Sequence, residues 1–141
     1  MILRFSKTDP DVKDPEYIRE GDIAFDLRSN EEIVLKSGEW KIVKSGLKLE
    51  IPEGYVGNIR DRSGLPAKFA IHTMAGVIDP NYRGEIGIVM INLSKADFKI
   101  EKDMRIAQML IQKCETVQFE EAKELSETNR GEGGFGSSGY K

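Results

Sequence analysis

Short apolar or alternating runs recur along the chain at small intervals: Ile2 to Phe5, Ile33 to Leu35, Trp40 to Val43, Leu47 to Ile51, Tyr55 to Ile59, Ile86 to Leu93 and Ile106 to Ile111. Turn formers bound them, among them Ser37-Gly38, Ser45-Gly46, Pro52-Glu53-Gly54 and Arg83-Gly84. A two-residue period broken by closely spaced turns predicts an all-β sandwich or barrel rather than alternating strands and helices. No stretch predicts a long helix. Glu120 to Leu125 has room for one helical turn and reads instead as a solvated acidic connector.

The last dozen residues, Arg130 to Lys141, differ in kind, because five glycines stand among Arg130, Phe135, Ser137 and Ser138. Such a composition cannot bury enough apolar surface to order itself, so residues 126–141 are expected to form a flexible tail on a β domain of residues 1–125. A plain linker has no need for a cation, a stacking ring and hydroxyls in one short run, which gives the tail a candidate role.

At 141 residues the chain has the size of one domain. Charged residues make up 32% with a net charge of -3, so lysine and arginine are balanced by carboxylates and a broad nucleic-acid surface is not expected. A local cationic pocket stays open. The single cysteine, Cys114, excludes an internal disulfide and a cysteine-based zinc cluster, suits a reducing compartment, and reads as a strand residue. Met1 to Lys7 lacks the apolar core of a signal peptide and no later run reaches membrane-spanning length, so the expectation is a soluble cytoplasmic protein without membrane partners.

Several local patterns carry candidate chemistry. Gly131 to Gly136 reads G-x-G-x-x-G, but a dinucleotide fingerprint needs a strand before it and a helix after it, and here the sequence stops five residues later. Arg62-Ser63-Gly64-Leu65-Pro66 offers a forked cation, a hydroxyl and an unobstructed N–H, a set suited to phosphate oxygens or to an ordinary turn. Gly76-Val77-Ile78-Asp79 runs into a predicted hairpin turn with Tyr82-Arg83-Gly84, where Asp79 is either a general base or a turn cap. Asp26 is either a metal-facing carboxylate or a salt-bridge residue, and Gln108 interrupts an apolar strand. His72, among apolar neighbours, reads as a core or interface imidazole.

The set and its order are more specific than any member. Phe25-Asp26-Leu27-Arg28, Arg62-Ser63-Gly64-Leu65, Gly76-Val77-Ile78-Asp79 with Tyr82-Arg83-Gly84, Arg105-Ile106-Ala107-Gln108, and Arg130-Gly131-x-Gly133-Gly134-Phe135-Gly136-Ser137 resemble the five motifs of the trimeric dUTPase family. The resemblance spans about Gly21 to Gly139. It departs from the usual pattern at Ala24, where the family has glycine, and at Asp103-Met104, where it has glycine-aspartate.

The resemblance implies an antiparallel jelly-roll or distorted barrel, a homotrimer with sites at subunit boundaries, and magnesium-dependent hydrolysis of dUTP to dUMP and pyrophosphate. That reaction limits uracil incorporation into DNA and supplies dUMP for thymidylate synthesis. By similarity, Asp79 is the general base for water attacking the α-phosphorus. Arg62, Ser63, Gly64 and Gln108 hold phosphates, and Arg130 and Ser137 reach the γ-phosphate when the tail folds. Phe135 stacks on uracil, backbone groups from Thr73 through Gly76, Val77 and Ile78 read its edge, Tyr82 lies against the deoxyribose, and Asp26 holds magnesium through water. A dCTP deaminase or bifunctional deaminase-diphosphatase shares the fold and is the alternative enzyme; a catalytically silent binding module that keeps the fold, as a nucleotide sensor or a partner-binding trimer, is the alternative of another class.

Overall fold

The computed structural model describes residues 1–134 and Ser137. Its strands are β1 (Arg4–Lys7), β2 (Phe25–Arg28), β3 (Ile33–Leu35), β4 (Trp40–Glu50), β5 (Tyr55–Asp61), β6 (Ile71–Met74), β7 (Val77–Ile78), β8 (Glu85–Asn92), β9 (Phe98–Ile100) and β10 (Arg105–Lys113), with one short helix, α1 (Gly64–Phe69). They form two four-stranded sheets, ordered β1-β4-β8-β6 and β2-β10-β5-β7, and a pair β3-β9. Every pairing is antiparallel. The chain is therefore nearly all-β, as expected, but the sheets stay open and no closed barrel forms among the described residues.

Alternation explains the layering. In β8, Ile86, Ile88 and Met90 are fully buried while Glu85, Gly87, Val89 and Ile91 face away, the period of a strand with one face on the core. Val43, Leu47 and Leu49 of β4 and Ile71 of β6 join them from one sheet; Leu27, Ile59, Ile106 and Met109 come from the other. Fully burying each such side chain is worth about 1.5–3 kcal/mol, so the core holds both sheets in one register.

Three local expectations change. Ser45-Gly46 is not a turn between strands, because β4 runs through it as one strand of 11 residues. Gly46 has φ 74 and a Cβ there would lie 2.3 Å from Val12, and it sits in the register irregularity between Lys44 and Lys48 in the pairing of β4 with β8, beside the point where pairing with β1 begins. The turn read at Ser63-Gly64-Leu65-Pro66 is the start of α1, held by buried Leu65 and ending at Ala70 with φ 52. Cys114 lies just beyond β10 and is exposed, although its N–H still donates to the Gly54 carbonyl at 2.9 Å. Glu120 to Leu125 is an exposed non-helical connector.

The departure at Asp103 has a structural account. Asp103 has φ 69, the left-handed conformation for which glycine is usual and which aspartate tolerates better than most residues. Its carboxylate pairs with Lys13 and lies 3.5 Å from Arg28, whose guanidinium also donates to the Asp103 carbonyl at 3.0 Å.

Candidate active site

Four side chains from two strands and one loop meet at one end of the second sheet. In β2, Phe25 and Leu27 point into the core, which turns Asp26 and Arg28 outward. β10 sets Gln108 directly opposite Asp26, and a register irregularity between Arg105 and Ala107 brings Arg105 onto the same surface. Three residues apart in a regular strand, Arg105 and Gln108 would face opposite sides; the irregularity removes that constraint. Arg62 follows β5 immediately, and β5 is the other neighbour of β10.

The Asp26 carboxylate accepts both cations. Oδ1 lies 2.8 Å from Arg62 Nε and Oδ2 lies 3.2 Å from Arg105, and the Asp26 side chain is only 11% exposed. Arg62 also donates to the Arg105 carbonyl at 3.3 Å. One anion thus fixes two guanidiniums, and their remaining donors are available to an anionic ligand. Ser63 precedes α1 without capping it, so its hydroxyl is not committed to the helix, and a Cβ on Gly64 would meet nothing within 4 Å. These groups line a cleft of about 450 Å³ together with Ile18, Arg19, Asp22, Ile23 and Ala24.

Asp61, which sequence reasoning passed over, braces this arrangement. Its carbonyl accepts the Gln108 amide at 2.7 Å, its Oδ1 accepts the Thr73 N–H at 2.6 Å, and its Oδ2 lies 2.7 Å from His72 Nδ1. Burial alone would raise the Asp61 pKa, but the hydrogen bonds from His72 and Thr73 outweigh it and hold the carboxyl below its ordinary value of 3.8. His72 is therefore an exposed partner of Asp61 rather than a core imidazole of this chain. A charged residue ending a strand three places before a glycine was the available signal for Asp61, but its partner 12 residues on was not legible.

The hairpin residues stand apart from this cleft. Gly76, at φ 122, accepts the Ile59 N–H at 2.8 Å, and a Cβ on it would lie 2.7 Å from the Ile59 carbonyl oxygen, so only glycine lets the hairpin root lie against β5. Beyond it β7 pairs with β5, and Asp79 accepts the Tyr82 N–H at 3.1 Å through its backbone, closing the turn. The Tyr82 ring covers Gly84 and its hydroxyl donates to the Glu85 carbonyl at 2.9 Å. Val77, Ile78, Asp79 and Tyr82 line a second cleft of about 330 Å³ with Ile42, Glu85, Gly87 and Val89. Thr73 is not part of it; it is buried, with its N–H taken by Asp61.

Within one chain, then, Asp79 and Tyr82 line one cleft and Arg62, Ser63, Gly64 and Gln108 another. Arg130 and Ser137 line neither: Arg130 donates to the Gly133 carbonyl at 2.7 Å and Ser137 N–H to Gly134 at 3.0 Å, within the terminal segment itself. Phe135 lies outside the described residues. No three His, Cys, Asp or Glu side chains among the described residues gather into a set that could hold a metal ion unaided. Nor is any described helix long and apolar enough to cross a membrane.

The dUTPase family model matches residues 11–139. The deoxyuridine 5'-triphosphate nucleotidohydrolase of Clostridium novyi is 47% identical over 141 residues, covering 99% of each chain, and that of Clostridium acetobutylicum is 46% identical, covering 99% of this chain and 97% of the relative. Among solved structures, a mutant dUTPase of Staphylococcus bacteriophage 80alpha with dUpNHpp superposes with a TM-score of 0.93 at 30% identity, covering 98% of both chains. A mutant dUTPase of phage phi11, described with a coordinated structural Mg(II) ion, gives 0.82 at 25% identity over 88% of this chain and 98% of its own. With motifs, fold and near full-length relatives in agreement, the chain belongs to the dUTPase family.

Proposed function

We propose that this chain hydrolyses dUTP to dUMP and pyrophosphate at a site completed by more than one copy of itself. The observation that carries the reading is the cleft in which Asp26 holds Arg62 and Arg105 beside Ser63, Gly64 and Gln108, a rigid, forked, cationic receptor matched to phosphate oxygens. In-line phosphoryl transfer needs positioning and charge neutralisation more than covalent help from the protein. The chain's relatives carry the deoxyuridine nucleotidohydrolase name, and dUpNHpp accompanies the 80alpha enzyme.

Asp79 takes a proton from the water that attacks the α-phosphorus; the bond from that phosphorus to its bridging oxygen breaks and pyrophosphate leaves. Arg62, Ser63, Gly64 and Gln108 hold the phosphates. Gly76, Val77 and Ile78 present backbone groups to uracil, with Thr73 anchoring the hairpin root, and an unmatched buried group makes a wrong base costly. Tyr82 lies against the deoxyribose. Arg130 and Ser137 reach the γ-phosphate and Phe135 stacks on the base when the terminal segment 126–141 closes. With both of its oxygens engaged by guanidinium, Asp26 would hold a magnesium ion only through water, which suits an ion that keeps most of its waters. Magnesium supplies charge neutralisation on the phosphate oxygens.

The family's jelly roll and threefold assembly complete the proposal. Its support is an apolar outward face at the centre of the first sheet, where Trp40 and Ile42, each 58% exposed, stand opposite Ile91 and Val89. An outward sheet face is ordinarily polar, and one that is not marks an interface. Val117, Phe119 and Leu125 are likewise exposed along the stretch after β10, where an isolated chain has nothing to cover them.

The test is a panel of dUTP, dTTP, dCTP and UTP, each with magnesium and with chelator. Pyrophosphate should appear from dUTP with magnesium and hardly from the others. Ammonia from dCTP would make the chain a deaminase, and no pyrophosphate from dUTP would overturn the reading.

A further inference from the structure

The phosphate cleft has a wall that none of the five motifs covers. It is the turn Arg19 to Asp22, closed by the Arg19 N–H donating to Asp22 Oδ2 at 2.9 Å and by the Asp22 N–H donating to the Arg19 carbonyl at 3.2 Å, with Gly21 at φ 87. All of these contacts use the backbone of Arg19. Its guanidinium is not needed to shape the turn.

The cleft is lined by three guanidiniums, those of Arg19, Arg62 and Arg105, and by two carboxylates, those of Asp22 and Asp26. Arg62 and Arg105 share Asp26, whereas among the described residues Arg19 has no ion-pair partner. Formally, three positive and two negative side chains leave the cleft at plus one, and without Arg19 it would be neutral. A triphosphate brings several negative charges into this space. Arg19 is also exposed at the rim, whereas Arg62 and Asp26 are partly buried deeper in the cleft.

We propose that Arg19 is a further substrate-binding residue, which donates to the oxygens of the pyrophosphate portion of the nucleotide and carries the cleft's net positive charge. This rests on the dUTP reading above. As a forked donor in a partly open site it should contribute a charge-assisted hydrogen bond, with its strength reduced by solvent.

The test uses the full chain and its Arg19→Gln, Arg19→Lys and Arg19→Glu variants. Calorimetric titration with inorganic triphosphate and magnesium should show affinity falling roughly five- to thirtyfold in Arg19→Gln. The loss should be smaller in Arg19→Lys, which keeps the charge, and larger in Arg19→Glu. Binding of dUMP, which lacks the outer phosphates, should change by less than about twofold, and KM for dUTP should rise with little change in kcat. Unchanged triphosphate affinity would overturn the proposal, and so would an equal loss for dUMP. If the wild-type chain failed to hydrolyse dUTP while triphosphate binding still depended on Arg19, the functional reading would fall and the phosphate-binding role of Arg19 would stand.

Discussion

The Asp61 carboxylate accepts the Thr73 backbone N–H at 2.6 Å, tying the loop that presents Arg62 and Ser63 to the strand that leads into the hairpin. Replacing Asp61 with alanine leaves that buried N–H without a partner, which should lower unfolding stability by about 1–3 kcal/mol. The pH dependence has a definite sign. Because the folded carboxyl titrates below its ordinary value of 3.8, its contribution is present above that pH and is lost as pH falls through the folded pKa. Denaturant unfolding at a series of pH values should therefore show the gap between wild type and Asp61→Ala narrowing below about pH 4. A gap that widened on acidification would contradict the hydrogen-bond account.

Asp79 stands at the hairpin turn as an exposed carboxylate within the second cleft. Asp79→Asn keeps the shape and removes proton acceptance, so turnover should fall by roughly 10² to 10⁴ while dUTP still binds. Single-turnover kinetics beside a binding isotherm separate the two, and near-normal turnover would remove Asp79 from its role.

The Tyr82 ring is fixed over Gly84 and by its bond to the Glu85 carbonyl, which makes it a stiff wall rather than a mobile side chain. Tyr82→Ala should raise the rate with UTP relative to dUTP. Competition between the two nucleotides measures the ratio directly; if it stays put, the 2′-hydroxyl is excluded elsewhere.

The two clefts of one chain predict complementation between defective chains. One protein carries Asp79→Asn with its terminal segment intact; the other keeps Asp79 and stops at Asn129. Each alone should be nearly inactive. If base and terminal segment come from different subunits, an equal random mixture should regain about a quarter of the activity, one half times one half. Verified mixing without recovery would mean that each site draws both parts from a single chain.

Much of this protein was legible in its sequence because much of it is local. Two-residue alternation with closely spaced turns located β1, β3, β4, β5, β8 and β10, but not the short strands β2, β6, β7 and β9, and five short motifs in order gave the family and most of the candidate residues. Where local pattern misled, a longer-range contact had decided the outcome. Ser45-Gly46 has the composition of a turn, yet pairing with β8 on one side and β1 on the other carries β4 straight through it. Ser63 to Pro66 reads as a turn until Leu65 finds the core and winds it into α1. Asp26 was ambiguous between salt bridge and metal site; tertiary structure set it between Arg62 and Arg105, which lie 36 and 79 positions away. Asp61 and Arg19 were missed because their value lies in which groups they face, and facing is fixed by strand register across the sheet. Sequence determines the alternation and the chemical groups available, since these depend on neighbours along the chain. Only the packed sheets decide which of those groups meet, because register follows from burying the core side chains together and not from any one segment's pattern.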